Sequence, residues 1–178
     1  GKMNKAQRGE YYGEAPIGYV RTREGIALDP DAQVQNVVHL IFDKFSELGS
    51  AHAVLKYFHD EQISIGRREH NGISPDDVTW HAPNRSTFMH ILRHPIYTGA
   101  YVFGRSKCVT TSTASGERKT VQRRLRNESD WEVLIRDHLP AYITWQQWEQ
   151  NQRRLRENST KFGFGVARGS SLLTGRIV

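Results

Sequence analysis

Residues 29–50 read Asp29-Pro30-Asp31-Ala32-Gln33-Val34-Gln35-Asn36-Val37-Val38-His39-Leu40-Ile41-Phe42-Asp43-Lys44-Phe45-Ser46-Glu47-Leu48-Gly49-Ser50. Val34, Val37, Val38, Ile41, Phe42, Phe45 and Leu48 recur at the spacing of one helix face. Asp29 is expected as the N-cap, with Pro30 at the first helical position, where its missing N–H costs nothing. Gly49 supplies the stop. Ser50 then caps a second helix with Ala51, Val54, Leu55 and Phe58 on one face, ending near 60–62. Two amphipathic helices in succession need a shared core, and a 178-residue chain is long enough to bury one without a staple.

Towards the N-terminus, the apolar segments 17–23 and 26–28 flank Glu24-Gly25 and predict a short hairpin. Residues 1–12 carry no core pattern and read as an N-terminal arm. Towards the C-terminus, 64–83 is polar and broken by Gly66, Gly72, Pro75 and Pro83. It reads as loop with short strands at 63–65 and 78–80. A third helix is expected from Asn84 to Arg93, burying Phe88, Ile91 and Leu92 and ended by Pro95. Segments 100–104 and 131–135 alternate like strands and are expected to pair antiparallel. Thr144 opens a last helix with Trp145, Trp148 and Leu155 inward and Arg153, Arg154 and Arg156 outward; from Asn158 the chain reads as a Gly/Ser-rich basic linker. The expected class is α+β: a small helical cluster, a short antiparallel sheet and a long basic loop. The second and third helices form a helix-turn-helix-like unit, although their spacer far exceeds the 3–4-residue turn of that motif.

Composition narrows the function. There are 25 Lys+Arg against 19 Asp+Glu, a net charge of +6 and a pI near 9.6, with 37% hydrophobic residues. The apolar content excludes a wholly disordered tail. The single cysteine, Cys108, excludes an internal disulfide or a cysteine-based zinc site in this chain. No apolar run approaches the ~20 residues of a membrane span, and the expected location is cytoplasmic and nucleoid-associated. Residues 106–126 hold six basic side chains and one acidic, and 159–178 hold three and none. Lys107, Arg118, Lys119, Arg123, Arg124 and Arg126 surround the Ser/Thr-rich run 110–115, which lacks apolar periodicity. A mobile basic loop over about 106–127 is therefore expected, able to settle on a phosphate backbone without reading sequence.

The polar side of the third helix is a candidate reading face. Ser86, His90 and Arg93 lie opposite the buried residues, with Thr87 and Met89 on the flanks and Asn84 and Arg85 at the start. In a major groove, Arg93 can take the O6/N7 edge of guanine, His90 a base or phosphate, and Ser86 or Asn84 an adenine edge or phosphate. The alternatives are a metal-dependent nuclease built on His59, His70, His81 and His90, and a protein-interaction module docking through the first or last helix. None of the histidines forms H-x-x-x-H or H-E-x-x-H on a helix, so no metal ligand or catalytic residue is assigned.

One ordered series carries a resemblance. It runs Gly13-x-x-Pro16-x-Gly18-Tyr19, Asp29-Pro30-Asp31, Ile41-Phe42, Gly49-Ser50, Trp80, Thr87-Phe88-x-x-Ile91-Leu92, Pro95-x-Tyr97-x-Gly99 and Tyr101-x-x-Gly104-Arg105. Over about residues 9–158 the chain resembles the recombinase domain of large serine recombinases, which include phage integrases and transposon recombinases. The resemblance implies a middle piece of a site-specific DNA recombinase. A catalytic domain bearing the serine nucleophile would precede it, a zinc ribbon would follow, and zinc would belong only to that ribbon. The domains implied are an arm over 1–12, a DNA-binding domain over 13–158 and a linker over 159–178. The partner implied is a double-stranded attachment half-site, with the parent self-associating as dimer and tetramer, the fragment monomeric and no membrane involved. By the same resemblance the helix at 84–93 enters the major groove, while the arm follows the adjacent minor groove through Lys5 and Arg8. Two departures stand out: the stretch between Trp80 and Thr87 is about three residues longer than usual, and His94 replaces a common Asn before Pro95.

Overall fold

The computed structural model describes residues 1–68, 77–112, 118–124 and 128–163. A short helix α1 (Lys2–Gln7) leads to the hairpin β1 (Tyr19–Arg21) and β2 (Ile26–Leu28), then to helices α2 (Ala32–Leu48) and α3 (Ala51–Asp60). The pair β3 (Ile65–Arg68) and β4 (Val78–His81) precedes α4 (Arg85–Arg93) and a 3-10 turn, Pro95–Thr98. Strands β5 (Tyr101–Phe103), β6 (Ser106–Ser112), β7 (Arg118–Arg124) and β8 (Val133–Ile135) lead to α5 (Trp145–Gly163). The described strands pair antiparallel, two by two: β1 with β2, β3 with β4, β5 with β8 and β6 with β7. The class is α+β, as expected.

The apolar stripe of α2 is the spine of the core. Val34, Val38, Ile41, Phe42 and Phe45 are buried, and the pattern releases Leu48 to solvent at the helix end. Phe58 of α3 meets Phe88 of α4 edge-on, with ring centroids 5.0 Å apart. Each such ring contributes roughly 1.5–3 kcal/mol by leaving water. Trp148 and Leu155 of α5 close the cluster. Both helices nominated for docking a partner therefore spend their apolar faces inside the fold.

Tyr97 sits at the centre, fully buried. Its hydroxyl donates to the Ile17 carbonyl at 2.8 Å, and its own carbonyl accepts from Tyr142 N (2.8 Å) and Ile143 N (3.0 Å). Next to it Gly99 has φ +76°, and a Cβ there would collide with the Leu139 carbonyl oxygen. The Gly99 carbonyl in turn accepts from His138 N and Leu139 N. One buried turn thus ties the first hairpin, the middle helices and the segment before α5 together.

Five expectations change. Asp29 does not cap α2: Asp31 does, accepting from Gln33 N at 2.8 Å. Asp29 is 2% exposed, accepts from Asp31 N at 2.9 Å and forms a two-point ion pair with Arg68. That turn around Asp29 moves the helix start two residues on. The arm contains a helical turn, because the one side chain it buries, Ala6, leaves no periodic signal. The expected loop 106–127 is largely a hairpin, with Val109 opposite Val121 and Thr110 opposite Thr120. Its strand-forming residues are β-branched and polar, so hydrophobic periodicity does not register them. The linker begins later than Asn158, since α5 continues to Gly163; residues 164–178 lie outside the described residues. Finally, α3 and α4 are joined through β3 and β4, which is not the tight turn of a helix-turn-helix.

Candidate nucleic-acid interface

Helix α4 starts at Asn84, whose side-chain oxygen accepts from Thr87 N at 2.9 Å. Phe88, Ile91 and Leu92 anchor it to the core, which forces the opposite side outward. Ser86, His90, Arg93, Asn84 and Arg85 are all exposed. Two of the candidates are narrowed by their surroundings. Met89 packs against the core cluster and leaves the outward face. Asn84 uses its amide oxygen for the cap, so a bidentate adenine contact, which needs oxygen and nitrogen together, conflicts with the helix start.

The helix ends on His94, whose Nδ1 accepts from Ile96 N at 3.1 Å and caps the 3-10 turn that follows. This is a job an Asn side chain also does, which accounts for the departure at this position. The rings of His90 and His94 lie 5.4 Å apart.

The arm is fastened to the sheet side of the molecule. Tyr101 donates to the Tyr11 carbonyl at 2.8 Å, and the rings of Tyr11 and Phe103 meet edge-on at 5.6 Å. His138 Nε2 lies 3.2 Å from the Gly9 carbonyl, to which it can only donate. Gly9 has φ +73°, and a Cβ on it would strike that imidazole. Lys5 and Arg8 are exposed on this arm. Arg8 donates to Glu10 at 2.8 Å, and that hydrogen bond lowers the Glu10 pKa and raises that of Arg8. A phosphate would compete with Glu10 for this guanidinium.

Tyr11 and Tyr12 at the end of the arm and the outward side of α4 line one cleft of about 710 Å³, while Lys5 and Arg8 lie outside its lining. Residues 11–18 form one wall and Ser86, Thr87, His90 and His94 the other, with Arg21, Arg67 and Arg68 also lining it. Arg93 follows Ser86 by seven residues on the same side of α4 but lies beyond the cleft lining. The basic hairpin β6–β7 packs chiefly on itself. It places Lys107 opposite Arg123 and Thr111 opposite Lys119 in register, with Arg118 and Arg124 at the other strand ends; Arg126 lies outside the described residues. Its strands contain five cations and no carboxylate.

Arg21, Arg67 and Arg68, which line the cleft, were not singled out in the sequence. Two of them sit on β3, whose four residues Ile65-Gly66-Arg67-Arg68 do not alternate and are too few to establish a strand unaided. Among the described residues no group of three His, Cys, Asp or Glu side chains could hold a metal ion, and His70 lies outside them. No described helix is long and apolar enough to cross a membrane. Cys108 is exposed on β6.

Comparison with known proteins adds three findings. The sequence model of the Recombinase family matches residues 32–158. The uncharacterized protein y4bA/y4pH of Sinorhizobium fredii (strain NBRC 101917 / NGR234) is 41% identical over 184 residues, a match covering the whole of this chain and 26% of that protein. The fold is similar to that in a crystal structure of an LSR–DNA complex (LSR, large serine recombinase), with TM-score 0.54 and 11% identity over 89% of this chain and 37% of that one. The chain thus spans about a quarter of the curated relative's length.

Proposed function

The chain belongs to the Recombinase family, and from that premise we propose that it is a sequence-specific duplex-DNA-binding domain of a large serine site-specific recombinase. It positions a catalytic serine domain, located elsewhere in the full-length protein, on an attachment half-site for strand cleavage and exchange. The observation that carries this reading is the pairing of an outward polar helix face with a fastened arm around one cleft, in a fold shared with an LSR–DNA complex.

The division of labour follows from the chemistry of each part. Ser86, His90 and Arg93 offer hydroxyl, imidazole and guanidinium groups to base edges in the major groove. Of these, only the guanidinium makes the two-point contact to guanine that discriminates strongly. Lys5 and Arg8 put cations beside the minor groove or its phosphates. Lys107, Arg118, Lys119, Arg123 and Arg124 give the β6–β7 hairpin a sequence-independent hold on the duplex backbone. Zinc has no role in this chain, and the fragment acts as a monomer within a parent that assembles as dimer and tetramer.

The test begins with selection of a preferred duplex from a random pool by the 178-residue chain. Arg93→Ala and His90→Ala are each expected to reduce discrimination between that duplex and a scrambled one by roughly 1–3 kcal/mol. Equal losses on both duplexes would make these side chains phosphate contacts. Absence of any preferred sequence would remove the reading face altogether.

A further inference from the structure

Strand β3 carries two adjacent arginines with opposite fates. Arg68 turns into the body, where its Nε and one terminal nitrogen donate to the two Asp29 oxygens at 2.8 Å each. Arg67, one position earlier, belongs to the other face of the strand, as the period of two requires, and is exposed. Among the described residues no carboxylate pairs with it. The Thr79 hydroxyl donates to the Arg67 carbonyl at 3.0 Å, so the backbone beneath the side chain is held by more than the ladder.

Arg67 stands at a seam. It lines the cleft between the arm and α4, and also a neighbouring depression of about 360 Å³ with Ile17, His81, Asn84 and Thr87. Two carboxylates line the larger cleft, Glu14 and Asp29. Asp29 is engaged by Arg68, which leaves Glu14, exposed on the arm wall, against Arg21 and Arg67.

An arm in a minor groove and a helix in the adjacent major groove necessarily straddle one sugar–phosphate strand. We infer that Arg67 forms a phosphodiester seat that grips the strand separating the two grooves. This rests on the DNA-binding reading above and deepens it: the seat carries no sequence information but sets the register in which α4 meets the bases. A guanidinium suits the task because its planar fork meets two phosphate oxygens at once.

The experiment uses the 178-residue chain, the duplex it selects and a scrambled duplex, with affinity measured by fluorescence anisotropy between about 50 and 200 mM salt. Arg67→Ala is expected to weaken binding to both duplexes by the same factor, about tenfold. It should also make the slope of log affinity against log salt shallower by ~0.9, the share of one phosphate. Arg67→Lys is expected to keep most of the slope while losing part of the affinity. Urea unfolding of both variants should match the parent, since the side chain is exposed. Unchanged affinity and slope in Arg67→Ala would overturn the seat, and so would a loss confined to the selected duplex, which would make Arg67 a base reader. If Arg67→Ala does nothing while Arg93→Ala still reduces discrimination, the seat fails and the DNA-binding reading stands. If the parent chain binds neither duplex, both fall.

Discussion

A carboxylate at 2% exposure is bound by one guanidinium at two points and by the Asp31 amide, and the Asp29–Arg68 pair is where residue-scale chemistry bears most on the fold. It joins the end of β2 to β3, and so orients the strand that carries Arg67. Asp29→Ala removes the carboxylate that a largely buried guanidinium meets at two points, and a loss of about 3–5 kcal/mol in urea unfolding is expected. Replacing both residues, as Asp29→Asn with Arg68→Met, should recover part of that loss, because no uncompensated charge remains. A double variant as unstable as the single one would show that the charges are not the issue. The carboxylate was visible in the sequence as a helix cap, a sound inference from Asp-Pro. What overrode it was Arg68, 39 residues away: a long-range partner that no local pattern announces.

At the scale of the element, α4 and the β6–β7 hairpin divide by how each makes its structure. Helix α4 was legible from its apolar spacing and its Asn84 start, because its secondary structure and its burial are the same signal. Phe88→Ala opens a cavity against Phe58, and thermal or urea unfolding should show a loss of about 3–5 kcal/mol. The hairpin has no apolar stripe to advertise, so its sequence reads as a charged loop, while its pairing comes from backbone ladders and β-branched residues. Arg123→Ala with Arg124→Ala is expected to weaken binding to selected and scrambled duplexes alike. The salt slope should fall by up to ~1.8, about 0.9 for each phosphate no longer neutralised. A slope that stays put in the same titration removes the hairpin from the interface.

For the whole molecule, three tyrosines decide how distant segments close on one another. Tyr97 donates to Ile17, Tyr142 donates to the Gly18 carbonyl, and the Tyr19 hydroxyl lies 2.9 Å from the carbonyl oxygens of both Ile96 and Pro140. Burial pushes all three phenols above their usual range, with neighbouring tyrosines adding to the effect for Tyr19 and Tyr97 and Asp29 for Tyr142. Protons held in the folded state and released in the unfolded one favour unfolding as pH rises past the ordinary tyrosine value near 10. Stability from these groups should therefore be complete below about pH 10 and decline above it. Tyr142→Phe should lower the urea midpoint at neutral pH and make the alkaline decline shallower. An equally steep decline in that variant would assign it to other groups.

The amino-acid sequence by itself determined the helices with an apolar stripe, the antiparallel pairing of the strands flanking the basic stretch, the outward polar side of α4 and the resemblance to recombinase domains. These are properties of local period and ordered motif, which a one-dimensional string contains in full. Tertiary structure alone decided that Asp29 turns inward to Arg68, that Ala6 anchors a helical arm, and that arm and α4 share one cleft with Arg67 between them. Each of these depends on which remote groups are near enough to neutralise a charge or exclude water, and proximity across tens of residues is set only when the core closes.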